Sequence, residues 1–140
     1  MRFLAALLLV PALSWAHGED KPGPHGGHIK MPGAFHVELN MDKDQSLHIF
    51  LLDMEFKNPT VKDSKIAATA RHKKSLIKFN CSVMGSNHFH CIPEKKYPAK
   101  GEIVIQATRD NAVGNEVKYP LPLKSFPKEI SEDTSHEGHH

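Results

Sequence analysis

Short segments in which apolar and polar residues alternate most constrain how this chain can fold. In residues 34–41, the side chains of Phe35, Val37 and Leu39 fall on one side of an extended strand, because successive side chains of a strand point to opposite faces. Similar segments follow, separated by turn residues, at 46–52, 65–71, 75–84, 88–92, 102–108 and 116–121. No stretch has sustained helical periodicity. The pattern predicts an all-β domain over residues 34–124, a single antiparallel β-sandwich, immunoglobulin-like or cupredoxin-like in outline, with a small closed barrel as the alternative.

Both ends of the chain differ from the strand-forming region. Residues 1–16 have a basic start, an apolar run and the small residues Ser14 and Ala16 at the end, which predicts a cleavable signal peptide. The run is shorter than the roughly 20 apolar residues of a membrane helix, so we expect no membrane anchor in the mature chain and a periplasmic or secreted protein. Residues 17–33 are predicted to be a Gly/Pro/His-rich lead-in, and residues 125–140 a flexible His-rich tail.

Histidine is the residue type that bears most on function. All eleven histidines follow the predicted signal peptide, whereas basic and acidic residues are nearly balanced and form no basic stripe. Imidazole is the commonest neutral metal ligand and titrates near neutral pH, so the composition favours metal or proton chemistry. It disfavours a nucleic-acid partner, and the absence of a serine nucleophile motif disfavours a hydrolase.

The only two cysteines, Cys81 and Cys91, lie in consecutive predicted strands. If residues 85–87 form a three-residue turn, Cys81 faces Cys91 and Val83 faces Phe89. The alternations of both strands then agree, which predicts a cross-strand disulfide in an oxidising compartment.

The same hairpin has a second interpretation. Met84, His88 and His90 would join the two thiolates in a soft ligand set suited to Cu(I). Alternation places both histidines on the face opposite the cysteines, so one ion could hardly collect them all. We therefore favour the disulfide and keep His88 and His90 as secondary metal candidates.

The lead-in carries the first group of main metal candidates, His17, His25 and His28. Cleavage before His17 would expose its α-amine beside its own imidazole, and a further imidazole completes a histidine brace, which suits Cu(II). A solvated linker without metal is the alternative.

The first predicted hairpin carries the second group, His36, Glu38 and His48. When the apolar faces of the two strands are matched, Glu38 lies opposite or one step diagonal to His48, and His36 lies on the same outer face. Two imidazoles and a carboxylate are suitable ligands for Zn(II) or Cu(II), although a polar row facing solvent is the alternative. Secondary candidates that would scavenge metal in the tail are His136, His139 and His140.

The segment that begins at Pro22, PGPHGG, followed by the strand GAFHVEL, resembles a small periplasmic module. This module occurs alone or at the front of adaptor subunits of heavy-metal efflux systems, where GPHGG precedes a strand close to F-x-V-E-L. The resemblance covers residues 22–52 and implies a β-sandwich of the bacterial envelope linked to copper, zinc, cobalt or nickel handling. By position it points to His25, His36 and Glu38. Without the adaptor's long helical hairpin, the chain fits a free carrier better than a transport subunit.

Together these features predict a periplasmic metal-binding protein, with copper as the first choice and zinc or another divalent ion as the second. It would act as a carrier or buffer, would need no catalytic residue, and would exchange metal with an efflux or envelope protein. One alternative is an envelope interaction module without a specific metal site. Another is a copper oxidase with a brace at His17, which is disfavoured because only the tyrosines Tyr97 and Tyr119 would remain besides phenylalanines once Trp15 leaves with the signal.

Overall fold

A computed structural model describes residues 21–126. This part of the chain contains no helix, and hence none long and apolar enough to cross a membrane. Its strands are β1 (His28–Lys30), β2 (His36–Met41), β3 (Leu47–Leu52), β4 (Lys65–His72), β5 (Ser75–Met84), β6 (His88–Pro93), β7 (Gly101–Arg109), β8 (Ala112–Val113) and β9 (Val117–Leu121). Every strand predicted from the alternation is present. Strands β1 and β8 are additional, and β1 lies in the lead-in, where so short a strand leaves no periodic signal.

The strands form one antiparallel sheet that nearly closes into a barrel. Neighbouring strands are hydrogen-bonded in the order β1-β2-β3-β6-β5-β4-β7-β8. Strand β9 pairs with residues 101–105 of β7, whereas β8 pairs with residues 108 and 109 of the same strand. The two ends of the sheet approach each other where the Tyr119 hydroxyl donates to the carbonyl of Val37 at 2.9 Å. The all-β prediction is thus confirmed, whereas the specific sandwich is not, because the strand order is continuous around the sheet.

Strands β2 and β3 are buried on both faces, unlike strands with one face in water. Val37 and Leu51 point into the core of the sheet, as the alternation predicts. Glu38 and Phe50, on the opposite face, are buried as well. The outer face of this hairpin is therefore covered by another part of the chain, which is the lead-in.

The β5–β6 hairpin confirms the predicted disulfide. Cys81 pairs with Cys91 and Val83 with Phe89 across the two strands, and the two sulfur atoms are bonded. The turn consists of residues 85–87, two of which, including Gly85, have positive φ angles. The histidines of β6 consequently point away from the disulfide, toward the outer face of the sheet.

Gly101 offers a test of the sheet geometry. Its φ is +92°, and a Cβ atom there would collide with the backbone carbonyl oxygen of Arg71 on β4. We expect Gly101→Ala to lower the free energy of unfolding by about 2–4 kcal/mol, because the cost of the positive φ and the cost of the steric clash add together. Gly33→Ala is the control, since a Cβ there meets nothing within 4 Å, and its effect should stay within about 0.5 kcal/mol. Equal losses in urea denaturation would contradict this geometry.

Candidate metal centre

The lead-in is fastened to the outer face of the sheet by the carboxylate of Glu38, which has 0% exposure. The backbone N–H groups of His25 and Gly27 donate to Glu38 Oε2 at 2.8 and 2.9 Å. The Nδ1 atom of His25 lies 2.7 Å from Glu38 Oε1. Since a buried carboxylate is costly unless its oxygens are hydrogen-bonded, these three contacts hold the lead-in and the strand together.

Glycine is required where the lead-in approaches the sheet. A Cβ on Gly27 would lie 2.7 Å from the carbonyl oxygen of Leu39, and a Cβ on Gly23 would lie 2.6 Å from Ile29 Cδ1. Gly26 has a φ of +77°, a conformation that side chains with a Cβ rarely adopt. The glycines of PGPHGG therefore permit the close contact between the lead-in and Glu38.

Five aromatic rings continue from the lead-in across β3 and β6, and we call them the ring row: His25, Phe50, His88, His48 and His90. Neighbouring ring centroids along the row are 3.7, 4.4, 5.2 and 4.7 Å apart. Burial, followed by the imidazoles of the other histidines in the row, His48 first, lowers the pKa of His88. His88 is therefore held in its neutral form at physiological pH.

One end of the ring row forms the candidate metal centre, which consists of Asp42, His48 and His90. One ligand atom of each lies within 4.8 Å of those of the other two. Within residues 21–126 it is the only group of three or more His, Cys, Asp or Glu side chains whose ligand atoms lie close enough together to hold a metal ion. His48 and His90 face each other across β3 and β6, and Asp42 Oδ2 lies 2.8 Å from His48 Nε2.

The turn that carries Asp42 is held by Tyr97. The Tyr97 hydroxyl donates to the carbonyl of Gln45 at 2.8 Å, and the Gln45 side-chain amide exchanges two hydrogen bonds with the Tyr97 backbone. Burial and the nearby Asp44 raise the pKa of Tyr97 to about 12, so its hydroxyl remains a donor. Hydrogen bonds from Ser46 lower the pKa of Asp44, which adds a second carboxylate beside the centre.

The hydrogen bonds around His48 define where its protons lie. His88 Nδ1 donates to Asn87 Oδ1 at 2.8 Å, so the Nε2 atom of neutral His88 accepts from His48 Nδ1 at 3.0 Å. His48 Nε2 faces Asp42, whose carboxylate only accepts. Both ring nitrogens of His48 therefore face an acceptor, His88 Nε2 on one side and Asp42 Oδ2 on the other. A metal ion at Nε2 would displace one proton and leave Nδ1–H donating to His88, which orients the ligand ring.

The structure places the other predicted ligands apart from this centre. Glu38 lies diagonal to His48, as the predicted pairing allows, but its oxygens are engaged by the lead-in. His36 is buried, lies 3.0 Å from the carbonyl of Asp53 through Nδ1, and stacks on Phe56. His28, also in the lead-in, lies against Phe126 with 4.5 Å between the ring centroids and an angle of 30° between the rings. The predicted ligands that lie outside the described residues are His17, His136, His139 and His140.

Asp42 was not among the predicted ligands, because it follows the first predicted strand, residues 34–41. Continuing the alternation of β2 by one residue would have placed Asp42 on the same outer face as His48. The contribution of His90 could not be derived in this way, because it depends on the pairing of β3 with β6. These strands are not consecutive in the chain.

Comparisons of the chain with protein-family models, with curated proteins and with solved structures give no match.

Replacing Glu38 tests whether its role is to fasten the lead-in. In Glu38→Gln an amide nitrogen would meet the N–H donors of the lead-in, so we expect a loss of about 1–3 kcal/mol of stability. Hydrogen exchange at the amides of His25 and Gly27 should accelerate. The exposed Glu55→Gln is the control. Unchanged exchange at both amides in Glu38→Gln would contradict the assigned role.

Acidification tests the burial of His28. Burial lowers the pKa of His28 from its ordinary value of 6.5, so the folded state binds this proton less well than the unfolded chain does. The resulting stability is fully present above about pH 6.5 and is lost as the pH falls below it. His28→Phe retains a ring against Phe126 without the proton. Urea midpoints at about pH 7.5 and 5.5 should therefore differ less in the variant than in the wild type, and identical differences would contradict the argument.

Proposed function

We propose that this protein is a periplasmic metal-binding protein that carries or buffers copper, with zinc as the second choice, and that it has no catalytic activity. The observation that carries the proposal is the group of Asp42, His48 and His90 on the outer face of the sheet. Two imidazoles and one carboxylate form a ligand set that proteins use for Zn(II) and Cu(II).

The surroundings of the group suit a carrier. Three protein ligands leave further coordination positions for water or for a donor from a partner protein. Asp42 is half exposed and His48 is partly buried, so an ion could be exchanged from the solvent side. The two histidines come from paired strands, which keep their spacing, and the turn of Asp42 is held by Tyr97.

The resemblance of the lead-in and first strand to the module of heavy-metal efflux adaptors supports the same compartment and ion class. In this proposal the signal peptide directs the chain to the periplasm, and an efflux or envelope protein donates or receives the metal. The histidines at the two ends of the chain would collect ions at lower selectivity.

An envelope interaction module without a specific metal site remains the second candidate. It is favoured by one observation, namely that the contacts from Asp42 through His48 and His88 to Asn87 are satisfied without an ion. A structural polar row on a sheet would have the same property.

Calorimetric titration of the full chain with Zn(II) and Cu(II) separates the two candidates. We expect one high-affinity site, beside weaker binding at the ends of the chain, and its affinity should drop at least about tenfold in Asp42→Asn and in His90→Gln, because each variant removes a ligand. His72→Gln is the control, because it removes a histidine outside the group. All three variants retain the histidines at both ends of the chain, so metal binding there is the same in each. Affinity should also fall as the pH drops through about 6.5, since protons compete for imidazole.

Equal affinities in the three variants would contradict the proposed centre. Binding that is confined to the ends of the chain would then favour the interaction module. A loss confined to Asp42→Asn and His90→Gln supports the carrier.

A further inference from the structure

We propose a second metal site at the end of the β5–β6 hairpin, for a soft monovalent ion such as Cu(I) or Ag(I). Its ligands are the thioether of Met84 and the facing ring nitrogens of His88 and His48. The site goes beyond the proposed carrier centre, because it uses a different nitrogen of His48 and a different class of ion.

Two ring nitrogens lie close enough to become ligands of a single ion after a small separation of their rings. His48 Nδ1 and His88 Nε2 lie 3.0 Å apart and face each other. Nitrogens that bind one ion at about 2.0–2.1 Å in a tetrahedral or trigonal arrangement lie about 3.4–3.6 Å apart, so the two rings would separate by about 0.4–0.6 Å and tilt toward the ion. His88 presents Nε2 because its other nitrogen is held by Asn87 Oδ1 at 2.8 Å. An ion would replace the proton that these two nitrogens now share.

Met84 supplies the soft ligand. It pairs directly with His88 across the hairpin, so the two Cβ atoms are about 4.5–5.5 Å apart. Met84 is 40% exposed, so its sulfur is accessible to an ion from solvent. Its unbranched side chain has three rotatable bonds, so the sulfur can reach an ion at His88. Thioether sulfur with imidazole favours Cu(I), whereas the carboxylate of Asp42 favours harder ions.

The hairpin holds these groups in place before an ion arrives. The disulfide between Cys81 and Cys91 joins the two strands three residues from Met84 and from His88. Phe50 stacks on His88 with 4.4 Å between ring centroids, which keeps water from one side of that imidazole. Packing on Phe50 and the hydrogen bond to Asn87 therefore keep Nε2 of His88 directed toward His48.

His48 is shared between the two sites, and this has a measurable consequence. A neutral imidazole has one nitrogen lone pair available for a metal, because the other nitrogen carries a proton. His48 can therefore bind an ion through Nε2 beside Asp42 or through Nδ1 beside His88, but not through both. Zn(II) and the soft ion should compete, although each site can bind without the other.

The test uses Ag(I), a soft ion that does not change its oxidation state, titrated into the full chain. We expect Met84→Leu to weaken Ag(I) binding at least about tenfold and to leave Zn(II) binding unchanged. Met31→Leu and Met54→Leu are matched controls, since these methionines are also exposed, at 58% and 50%. In the wild type, Ag(I) should shift the methyl resonance of Met84 in NMR spectra.

The converse variant separates this inference from the carrier function. His90→Gln should weaken Zn(II) binding and leave Ag(I) binding unchanged, because His90 belongs to the carrier centre and not to the soft-ion site. Ag(I) binding that depends on Met84 while Zn(II) does not bind would overturn the carrier centre alone. Ag(I) affinity that is equal in Met84→Leu and the two control variants, or an unshifted Met84 methyl resonance, would overturn the soft-ion site.

Discussion

The buried carboxylate of Glu38 is the interaction on which the arrangement of the outer face depends. Placing a charged group at 0% exposure is unfavourable unless its oxygens are satisfied, and here the donors come from the lead-in. The lead-in must therefore lie across β2 for Glu38 to be tolerated. Once it does, the His25 ring stacks on Phe50 and begins the ring row that ends at the metal candidates. A contact at one end of the hairpin thus contributes to the packing of imidazoles several residues away.

Sheet register determines what these imidazoles can do. The pairing of β3 with β6 sets His48 opposite His90, and the same alternation brings His88 beside His48. A shift of one residue would send each of these side chains into the core. The disulfide and the short turn at Gly85 prevent such a shift in the β5–β6 hairpin. The positions of the imidazoles on the outer face are consequently as well defined as those of the apolar side chains in the core.

Local alternation was sufficient to predict seven of the nine strands of residues 21–126 and the disulfide, because these follow from which face a residue occupies. It placed Cys81 opposite Cys91 and put His88 on the other side without knowledge of the fold. It was insufficient for properties that depend on distant pairing. The near closure of the barrel relies on the approach of Tyr119 to Val37, and the candidate centre on β6 lying beside β3. Nor could alternation indicate that Glu38, on an outer face, is buried by a segment rich in glycine and proline.

The disulfide between Cys81 and Cys91 also determines which potential metal ligands the β5–β6 hairpin offers. Before oxidation both thiols are free, and thiolates are themselves strong ligands for soft ions. A reduced chain would offer sulfur donors from the core face of the hairpin, in competition with the imidazoles outside. Oxidation removes these donors and joins the strands that carry the histidines. Formation of the disulfide therefore leaves the outer face as the side of this hairpin that offers candidate metal ligands.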